Sequence, residues 1–540
     1  MDKNRRRGDA QIGSGWRGWV RRRPVLFFCI VSAVWIGVLY HGVLGAPFVY
    51  DDLDQIANNP TLESWHAVWT QFLLRPSRLG SGFLDNGGST YRPGFWIVLA
   101  LERHVFRGEP GGFHFASLLL HWTNGVLLFM LLRRLRMRLP IAALATLIWL
   151  GMPVNSEAVA WISGQLYPLS TAFLLLALLL ALGYVRSAGW GRLAAFTATA
   201  MLADLSHEQG VLLVAFLALG YGLLEEDRHP RRRWAALVGL ALLADAVYVA
   251  CRWAVGTRAG GGPHHFWNAG EVFWRYIQLI ALPVHMSVER STDVPGAALT
   301  GGALAAWGGL IALIIGVGVM HLRRRAPALA AGLSVVLVAV LPYCGFVYIY
   351  QGMAERYVYF ASIGFAVAIA AAVAAPHPVA RRIAFTCLAI WMGWGAWRLM
   401  RRVADWQDPI ALYGHSLEAT PRSVLMNLDY GAALQTVGRQ AEAESQYRRV
   451  ISLAPKDSQA FVDLESLYIE EGRLDEAIAM YQQAIAINPN DATAYFDLGV
   501  MFQQRGQDQE ALAFYKKVLQ LEPGDPQTLL YLSKLQGAEQ

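Results

Sequence analysis

Two adjacent aspartates, Asp51 and Asp52, follow directly after the first long apolar run of this 540-residue chain. Carboxylates placed just outside a bilayer lose solvation and repel each other, so they are rarely incidental. Three uses are open: a general base for a hydroxyl group, a divalent-cation site, or a solvated loop start. No further ligand has a spacing that would commit the pair to a metal, so the sequence commits to no cofactor and leaves a divalent cation at Asp51 and Asp52 open.

Further polar residues stand at the edges of other apolar segments, on the same predicted side of the membrane. In chain order they are Tyr91 and Arg92, Glu157, Glu208, and Glu355 and Arg356. Each is ordinary at a helix end, but together they predict a polar cavity that faces outward. His114 and His121 are seven residues apart and share one helix face, for which packing inside a bundle is the favoured interpretation over catalysis.

The composition excludes an ordinary soluble protein. Hydrophobic residues make up 55% of the chain and charged residues 16%, and the mean hydropathy is +0.32. A crossing helix needs about 20 mostly apolar residues, and eleven candidates are found: 24–44, 113–132, 139–153, 165–185, 193–206, 208–224, 234–255, 301–322, 328–346, 357–375 and 381–399.

These segments predict an all-α protein whose residues 24–402 form a polytopic membrane bundle of about eleven crossings. The outer loop 45–112 follows the first crossing, which we interpret as a retained anchor and not a cleaved signal because its apolar core is too long. Residues 92–106 and 271–284 are predicted to be helices that lie at the outer surface.

Arginine and lysine set the predicted orientation, since they concentrate on the cytoplasmic side of membrane proteins. With the basic terminus 1–23 inside, the cytoplasmic segments carry 23 Lys and Arg and the opposite segments 9. The N-terminus is therefore predicted to be cytoplasmic and the C-terminal tail to be outside. The arginine-, alanine- and glycine-rich composition favours a bacterial inner membrane with a periplasmic tail.

The tail repeats with a period of 34 residues. Prolines recur at 421, 455, 489 and 523, and glycines at 438, 472 and 506. This period is that of tetratricopeptide repeats (TPRs), in which two helices are joined by a turn. We predict a linker at 403–423, then three repeats and a capping helix within 424–540. Such an α-solenoid binds an extended polypeptide or a partner protein and carries no chemistry itself.

Taken together, these motifs resemble a known family. They are the aspartate pair, the Tyr-Arg-Pro at 91–93, the stretches NSEAVAWISGQ (155–165), SHEQG (206–210), LPVHMS (282–287) and AERYVY (354–359), and the repeats. In this order they resemble the transmembrane and TPR-containing O-mannosyltransferase-like proteins of the GT-C glycosyltransferase superfamily. His207 and Asn155 depart from residues that are common at these places.

The resemblance implies an inverting transfer of a mannose-like sugar from a polyprenyl-phosphate carrier to a hydroxyl group of a protein, at the extracytoplasmic face. It implies that Asp51 or Asp52 is the catalytic base. The leaving phosphate then needs a cation, for which Arg356 is the first candidate and Arg92 the second. Glu355 or Glu208 would orient one of these arginines, and the supporting residues would be Glu157, Tyr91 and His114.

Two other classes of function compete with this one. A non-catalytic membrane scaffold would use its repeats to recruit extracytoplasmic partners and would bind no donor lipid. A transporter or flippase is disfavoured, because the ionisable residues gather at helix ends and not at the bilayer midplane, where transport sites lie. The distribution of arginines also excludes a nucleic-acid-binding stripe.

Overall fold

A computed structural model describes residues 22–75, 77–78, 89–224, 230–257, 266–290, 299–345, 352–374 and 378–538. The chain divides into two compact units, Met1–Asp408 and Pro409–Gln540. Residues 1–21, which make up nearly all of the predicted basic terminus, lie outside the described residues.

The described part of the first unit is almost entirely helical. Its first eight helices are α1 Pro24–Leu39, α2 Trp65–Val68, α3 Pro93–Phe106, α4 Pro110–Arg134, α5 Leu139–Leu150, α6 Ser156–Ala160, α7 Leu166–Arg186 and α8 Trp190–Ser206. They are followed by α9 Leu213–Leu224, α10 Arg231–Ala254, α11 Ala269–Ala281, α12 Gly301–Leu322, α13 Pro327–Val340, α14 Ala361–Val373 and α15 Pro378–Asp405. Two short strands, β1 Ser77–Arg78 and β2 Ser89–Thr90, pair antiparallel within the outer loop.

Each of the eleven predicted apolar segments overlaps one of these helices. The matching helices are α1, α4, α5, α7, α8, α9, α10, α12, α13, α14 and α15. The two segments predicted to lie at the outer surface are helices α3 and α11. The predicted all-α class is therefore confirmed, and the two-residue strands are a local feature of one loop.

Five helices of the described chain are long and apolar enough to cross a membrane. They are Pro110–Arg134, Ile162–Arg186, Arg231–Ala254, Gly301–Leu322 and Pro378–Asp405. A sixth span arises if Leu139–Leu150 and Pro153–Ala160, which meet at a 56° bend, are counted as one. Four shorter apolar helices accompany them. The chain is thus an integral membrane protein, and eleven remains the predicted number of crossings.

Small residues allow some of these helices to approach closely. On α13, a Cβ atom at Gly332 would lie 2.6 Å from the carbonyl oxygen of Gly364 on α14. The reverse contact is as tight, since a Cβ atom at Gly364 would lie 2.5 Å from the carbonyl oxygen of Gly332. Close backbone approach through small residues is a common way for membrane helices to pack.

The second unit contains paired helices with the predicted period. They are α16 Pro409–Ala419, α17 Val424–Thr436, α18 Gln440–Leu453, α19 Gln459–Glu470, α20 Leu474–Ile487, α21 Ala492–Gln504, α22 Asp508–Leu521 and α23 Pro526–Ala538. The expected linker 403–423 includes the end of α15 and the whole of α16. The expected capping helix is α23.

Glycines and tyrosines explain how the helices of each repeat pair. Gly438, Gly472 and Gly506 all have positive φ angles, of 78°, 72° and 71°, at the turns between paired helices. In the first repeat the Tyr447 ring packs over Gly431, and its hydroxyl group donates to Gln435 at 2.9 Å. The third repeat has the equivalent contacts of Tyr515 with Gly499 and Gln503.

The middle repeat solves the same packing problem differently. Glu465 stands where the other repeats have glycine, and Ile469 where they have glutamine. The Glu465 side chain is 5% exposed and forms a hydrogen bond with the Tyr481 hydroxyl group. Burial raises the pKa of Glu465 to about 7. In the middle repeat Glu465 is therefore the hydrogen-bond partner of the tyrosine hydroxyl group, whereas in the other two repeats that partner is a glutamine.

We expect Gly499→Ala to destabilise the repeat unit by about 1–3 kcal/mol, because the new methyl group has to displace the Tyr515 ring. A Cβ atom there would lie 2.5 Å from that ring. Gly414→Ala in α16 is the matched control, since its nearest neighbour would be at 3.6 Å. Limited proteolysis at increasing denaturant concentrations measures the stability of the repeats. The repeats of Gly499→Ala should be cleaved at a lower denaturant concentration than those of wild type, and the repeats of Gly414→Ala should not. Equal loss in both variants would contradict the packing argument.

Candidate functional site

The aspartate pair lies in the turn that follows α1, where the chain enters the outer loop. Tyr50 has a φ of 57°, an uncommon conformation for a residue other than glycine. This conformation precedes a single irregular helical turn, Leu53–Ala57. The turn directs the two carboxylates to different environments.

Asp52 is fully buried, and Ser163 makes two hydrogen bonds to one of its oxygens. Its Oδ1 accepts hydrogen bonds from the Ser163 amide at 2.8 Å and from the Ser163 hydroxyl group at 2.6 Å. Burial raises the pKa of Asp52 to about 7, although the bonds from Ser163 act in the opposite direction. Asp52 therefore ties the outer loop to the turn Ile162–Gln165.

Asp51 is only half-buried, and its Oδ2 accepts a hydrogen bond from Gln55 at 3.2 Å. Burial raises the pKa of Asp51 to about 6, while the charge of Arg356 lowers it and that of Asp54 raises it. The two residues are linked through aromatic rings, because the Tyr50 ring next to Asp51 lies 5.6 Å from the Trp161 ring, and the Arg356 guanidinium carbon lies 4.9 Å from that same ring. A carboxyl group with a pKa near 6 can accept a proton close to neutral pH.

Arg356 is held by a buried acid. Its side chain is 7% exposed and pairs with Glu157, which is 1% exposed. The Arg356 backbone amide donates to the same carboxylate at 2.8 Å. The guanidinium carbon also lies 4.9 Å from the Trp161 ring and 5.1 Å from the Tyr357 ring. The predicted clamp residue is therefore oriented by Glu157, together with two aromatic rings.

Arg92 belongs to a second, more open cluster. Its Nε donates to Glu208 at 2.9 Å, and the two side chains are 19% and 27% exposed. Arg252 approaches the other oxygen of Glu208 at 3.5 Å, and His207 lies 3.6 Å from the first. The predicted orienting role of Glu208 thus has a geometric basis.

Aromatic rings connect the two arginine clusters. The Tyr167 ring lies 4.4 Å from the His207 ring and 6.0 Å from the Tyr357 ring. The Tyr343 ring stacks on Tyr357 at 5.0 Å. The two clusters therefore line one continuous region.

One of the sequence-based alternatives was that Glu355 orients Arg356. In the structure, Glu355 instead contacts a different segment. Its Oε1 accepts from the Ser287 amide at 2.6 Å and lies 3.2 Å from Nη2 of Arg290. Because neighbouring residues in this short turn point to different sides, Glu355 binds the 282–290 segment while Arg356 faces Glu157.

Tyr91 and His114 occupy structural positions at the margin of this region. The Tyr91 hydroxyl group donates to the Leu73 carbonyl group at 3.2 Å, and its own carbonyl group accepts from Tyr248 at 3.1 Å. His114 is buried on α4 beside the backbone of Ala46 and Pro47, which leads to the aspartate pair.

The two histidines on one helix face differ in their surroundings. His121 is fully buried, and its ring lies 2.7 Å from the Tyr359 hydroxyl group and 3.2 Å from the Leu150 carbonyl oxygen. Packing inside the bundle, the favoured interpretation from the sequence, accounts for these contacts.

The aspartate pair is not part of a larger cluster of metal-binding side chains in the described part of the chain. Among the described residues, no group of three or more His, Cys, Asp and Glu side chains is arranged to hold an ion. Asp51 and Asp52 supply two carboxylates, and Oδ1 of Asp52 is already used by Ser163. A divalent cation at this pair stays a hypothesis.

Four residues of this region were missed by the sequence analysis: Ser163, Trp161, Arg252 and Arg290. Ser163 and Trp161 lie inside the NSEAVAWISGQ stretch, but only their contacts with Asp52 and Arg356 make them significant. Arg252 and Arg290 stand near the outer ends of predicted apolar segments, as the other arginines do. That position was the one signal that could have indicated them.

The arrangement combines a half-buried carboxylate with three guanidinium groups, all of which pair with buried or half-buried acids. Such a site can remove a proton from a hydroxyl group and stabilise a developing phosphate charge. The cost of leaving these charges in a low dielectric is offset by their pairing.

Both the membrane unit and the repeats are similar to known proteins. Residues 466–504 match the family model described as TPR repeat, and residues 492–525 match the tetratricopeptide repeat model. The chain is 23% identical over 439 residues to "Protein O-mannosyl-transferase F38B6.6" of Caenorhabditis elegans, covering 78% of this chain and 62% of that protein.

Two further similarities cover different shares of the chain. "Protein O-mannosyl-transferase TMTC3" of Homo sapiens is 26% identical over 208 residues, which cover 36% of this chain and 22% of that protein. A crystal structure of ArnT from Cupriavidus metallidurans bound to undecaprenyl phosphate covers 89% of this chain and 81% of that chain, at 16% identity and a TM-score of 0.42. This chain spans less than two thirds of the length of both O-mannosyl-transferases. The resemblance that the motifs predicted is confirmed by the sequence relatives and the repeat matches.

Burial should decide how much each acid of the site contributes to stability. We expect Glu157→Ala to lower the free energy of unfolding by about 3–5 kcal/mol, because it removes the buried carboxylate beside Arg356. Glu208→Ala, whose arginine partners are more exposed, should cost about 1 kcal/mol or less. Thermal unfolding of the detergent-solubilised variants tests this order, and a larger loss for Glu208→Ala would refute it.

Proposed function

We propose that this chain, a relative of the protein O-mannosyl-transferases, is a membrane glycosyltransferase. It moves a mannose-like sugar from a polyprenyl-phosphate donor to a hydroxyl group of a protein acceptor. The observation that carries the proposal is the position of the half-buried Asp51: the ring of the neighbouring Tyr50 lies 5.6 Å from the Trp161 ring, against which the Arg356 guanidinium group packs. Transfer of a sugar from a phosphate requires this combination of a proton acceptor and a cation.

Asp51 acts as the base, and Asp52 holds the loop in place. A base has to be reached by the acceptor hydroxyl group, and Asp51 retains exposure whereas Asp52 is fully buried. Asp52 also has one oxygen occupied by two bonds from Ser163. This assignment separates the two aspartates, which the sequence left equivalent.

Arg356 stabilises the charge that develops on the leaving lipid phosphate. Glu157 and the rings of Trp161 and Tyr357 hold its guanidinium group before the donor arrives, so little reorganisation is needed. Arg92 is the second cation, and we add Arg252, which shares Glu208 with it.

The reaction is a single displacement. Asp51 takes the proton of the acceptor hydroxyl group as its oxygen attacks the anomeric carbon, and the bond to the phosphate breaks on the opposite face. Configuration at that carbon is therefore inverted. General-base assistance of this kind contributes about 10²–10⁴-fold.

The repeats bind an extended segment of the acceptor polypeptide, which raises its effective concentration. In the proposed topology the N-terminus is cytoplasmic, and the repeats and the site lie at the outer face of a bacterial inner membrane. Both sequence relatives are named protein O-mannosyl-transferases, which supports the sugar and acceptor classes of this proposal.

Sugar transfer by the purified full-length protein is the direct test. A panel of polyprenyl-phosphate sugars is supplied with a pool of peptides that carry hydroxyl groups, and Asp51→Asn should reduce transfer by about 10²–10⁴-fold. Asp54→Asn is the matched control, because Asp54 is an exposed acid of the same turn. At pH 8, where Asp51 is deprotonated with or without the Asp54 charge that raises its pKa, this variant should transfer sugar within about twofold of wild type.

Two outcomes would count against the assignment. Full activity of Asp51→Asn would show that another group is the base. If the wild-type protein neither transfers sugar nor binds the donor lipid, the non-catalytic scaffold becomes the better explanation.

The rate of transfer should depend on pH through Asp51. Because its pKa is raised to about 6 and the base works only when deprotonated, activity should fall about tenfold per pH unit below pH 6 and be constant from about pH 7 to about pH 8. The pH profile of kcat/KM, recorded at fixed detergent concentration and ionic strength, measures this fall in activity at acidic pH. A profile that stays flat down to pH 4.5 would exclude Asp51 as the titrating base.

A further inference from the structure

A buried acid outside the proposed reaction pairs with a buried amide. Glu102 on α3 is 7% exposed, and Gln165, at the end of the turn Ile162–Gln165, is fully buried. The Gln165 Nε2 group donates a hydrogen bond to Oε1 of Glu102 at 2.9 Å. The Arg103 side chain next to Glu102 pairs with Glu63.

The other ends of the two groups lack partners in the described chain. Both Oε2 of Glu102 and Oε1 of Gln165 are buried and accept no hydrogen bond. Two acceptor oxygens cannot bond to each other, and leaving both unsatisfied costs free energy. One proton on Glu102 satisfies both, because the acid can then donate from Oε2 to Gln165 while it accepts at Oε1.

The surroundings of Glu102 favour that proton. Burial raises the pKa of Glu102 to about 8, whereas the bond from Gln165 lowers it. Besides arginines, the elements packed against α3 carry the titratable side chains Glu63, His66, His114, His121 and Asp204. Burial is the cause of the raised pKa of Glu102, the bond from Gln165 opposes it, and none of these other side chains contributes to the shift.

The hydrogen bond between Glu102 and Gln165 joins helix α3 to the turn Ile162–Gln165, and both segments position residues of the proposed site. The residue that precedes α3 is Arg92, one of the proposed phosphate-binding cations. The turn that ends at Gln165 contains Ser163, which fixes Asp52, and it follows Trp161, which lies against Arg356. A bond between α3 and this turn therefore sets the distance between the two sides of the site.

We infer that Glu102 is a positioning residue that, as a neutral acid, closes a two-bond ring with Gln165 and so fixes Arg92 relative to the aspartate loop. The effect on sugar transfer rests on the proposed function, whereas the acid–amide ring is a property of the folded protein alone. The two can be measured separately.

The test compares full-length wild type, Glu102→Gln and Glu102→Met in detergent. Glutamine imitates the neutral acid, because its amide can donate to Gln165 and accept from it at every pH. Methionine has a similar length but can make neither bond. Thermal unfolding midpoints are recorded from pH 5 to pH 9, and sugar transfer is measured over the same range.

The sign of the pH dependence follows from the raised pKa. The folded protein keeps the Glu102 proton up to about pH 8, whereas the unfolded chain loses it near pH 4.3. Wild type should therefore lose stability relative to Glu102→Gln as the pH rises from about 5 to about 8, and the difference should then stay constant.

Transfer provides the second readout. Glu102→Gln should keep activity within about twofold of wild type at pH 6.5 and lack the decline that wild type shows above pH 8. Glu102→Met should lose about tenfold in transfer, as expected for a displaced site. Adding Gln165→Leu to Glu102→Met should cause little further loss of stability, since the partners share one interaction.

Each outcome bears on a different claim. Midpoints of wild type and Glu102→Gln that run parallel from pH 5 to pH 9 would overturn the neutral ring. Wild-type activity in Glu102→Met, with the protein folded, would overturn the positioning role. A widening midpoint difference without transfer in any protein would support the ring and refute the proposed function.

Discussion

An arginine that is almost completely buried needs a carboxylate beside it, and Arg356 meets this constraint through Glu157, which lies 199 residues earlier in the chain. The requirement fixes more than one pair. It brings the entry to α14 against the turn after α5, and Trp161 with its neighbours follows because it lies in the same stretch. Ser163 then reaches Asp52, so the outer loop takes its position from the same contact. Two other arginines of the unit are also paired with a carboxylate from a distant segment: Arg92 with Glu208, and Arg290 with Glu355.

Much of the architecture could be predicted from the sequence because it depends on local patterns. Every apolar segment of sufficient length became a helix, since a chain in a bilayer has to satisfy its backbone hydrogen bonds internally. The 34-residue period predicted paired helices because glycine and small residues recur where each turn and close contact require them. Glu465 breaks that period, and its hydrogen bond with Tyr481 becomes apparent only when the contacts are known.

The site was less predictable, for a physical reason. The sequence indicated which acids and arginines share one face, but not which acid meets which arginine, because such pairs form between distant segments. Glu355 was a reasonable partner for its neighbour Arg356, yet adjacent residues in a short turn point in different directions. Likewise, Asp51 and Asp52 are equivalent in sequence, and only the contact with Ser163 distinguishes the buried residue from the half-buried one.

The balance of charge around Asp51 couples proton removal from the acceptor to stabilisation of the leaving phosphate in the proposed reaction. Before reaction, the carboxylates of Asp51, Glu157 and Glu208 offset the guanidinium groups of Arg92, Arg252 and Arg356, so this group of side chains is close to neutral. When Asp51 takes up the acceptor proton, one negative charge disappears while the arginines stay in place. Their field then acts more fully on the phosphate, at the moment when that group gains charge. Proton removal at one end of the reacting system would thus strengthen the stabilisation of the leaving group at the other, without any movement of the protein.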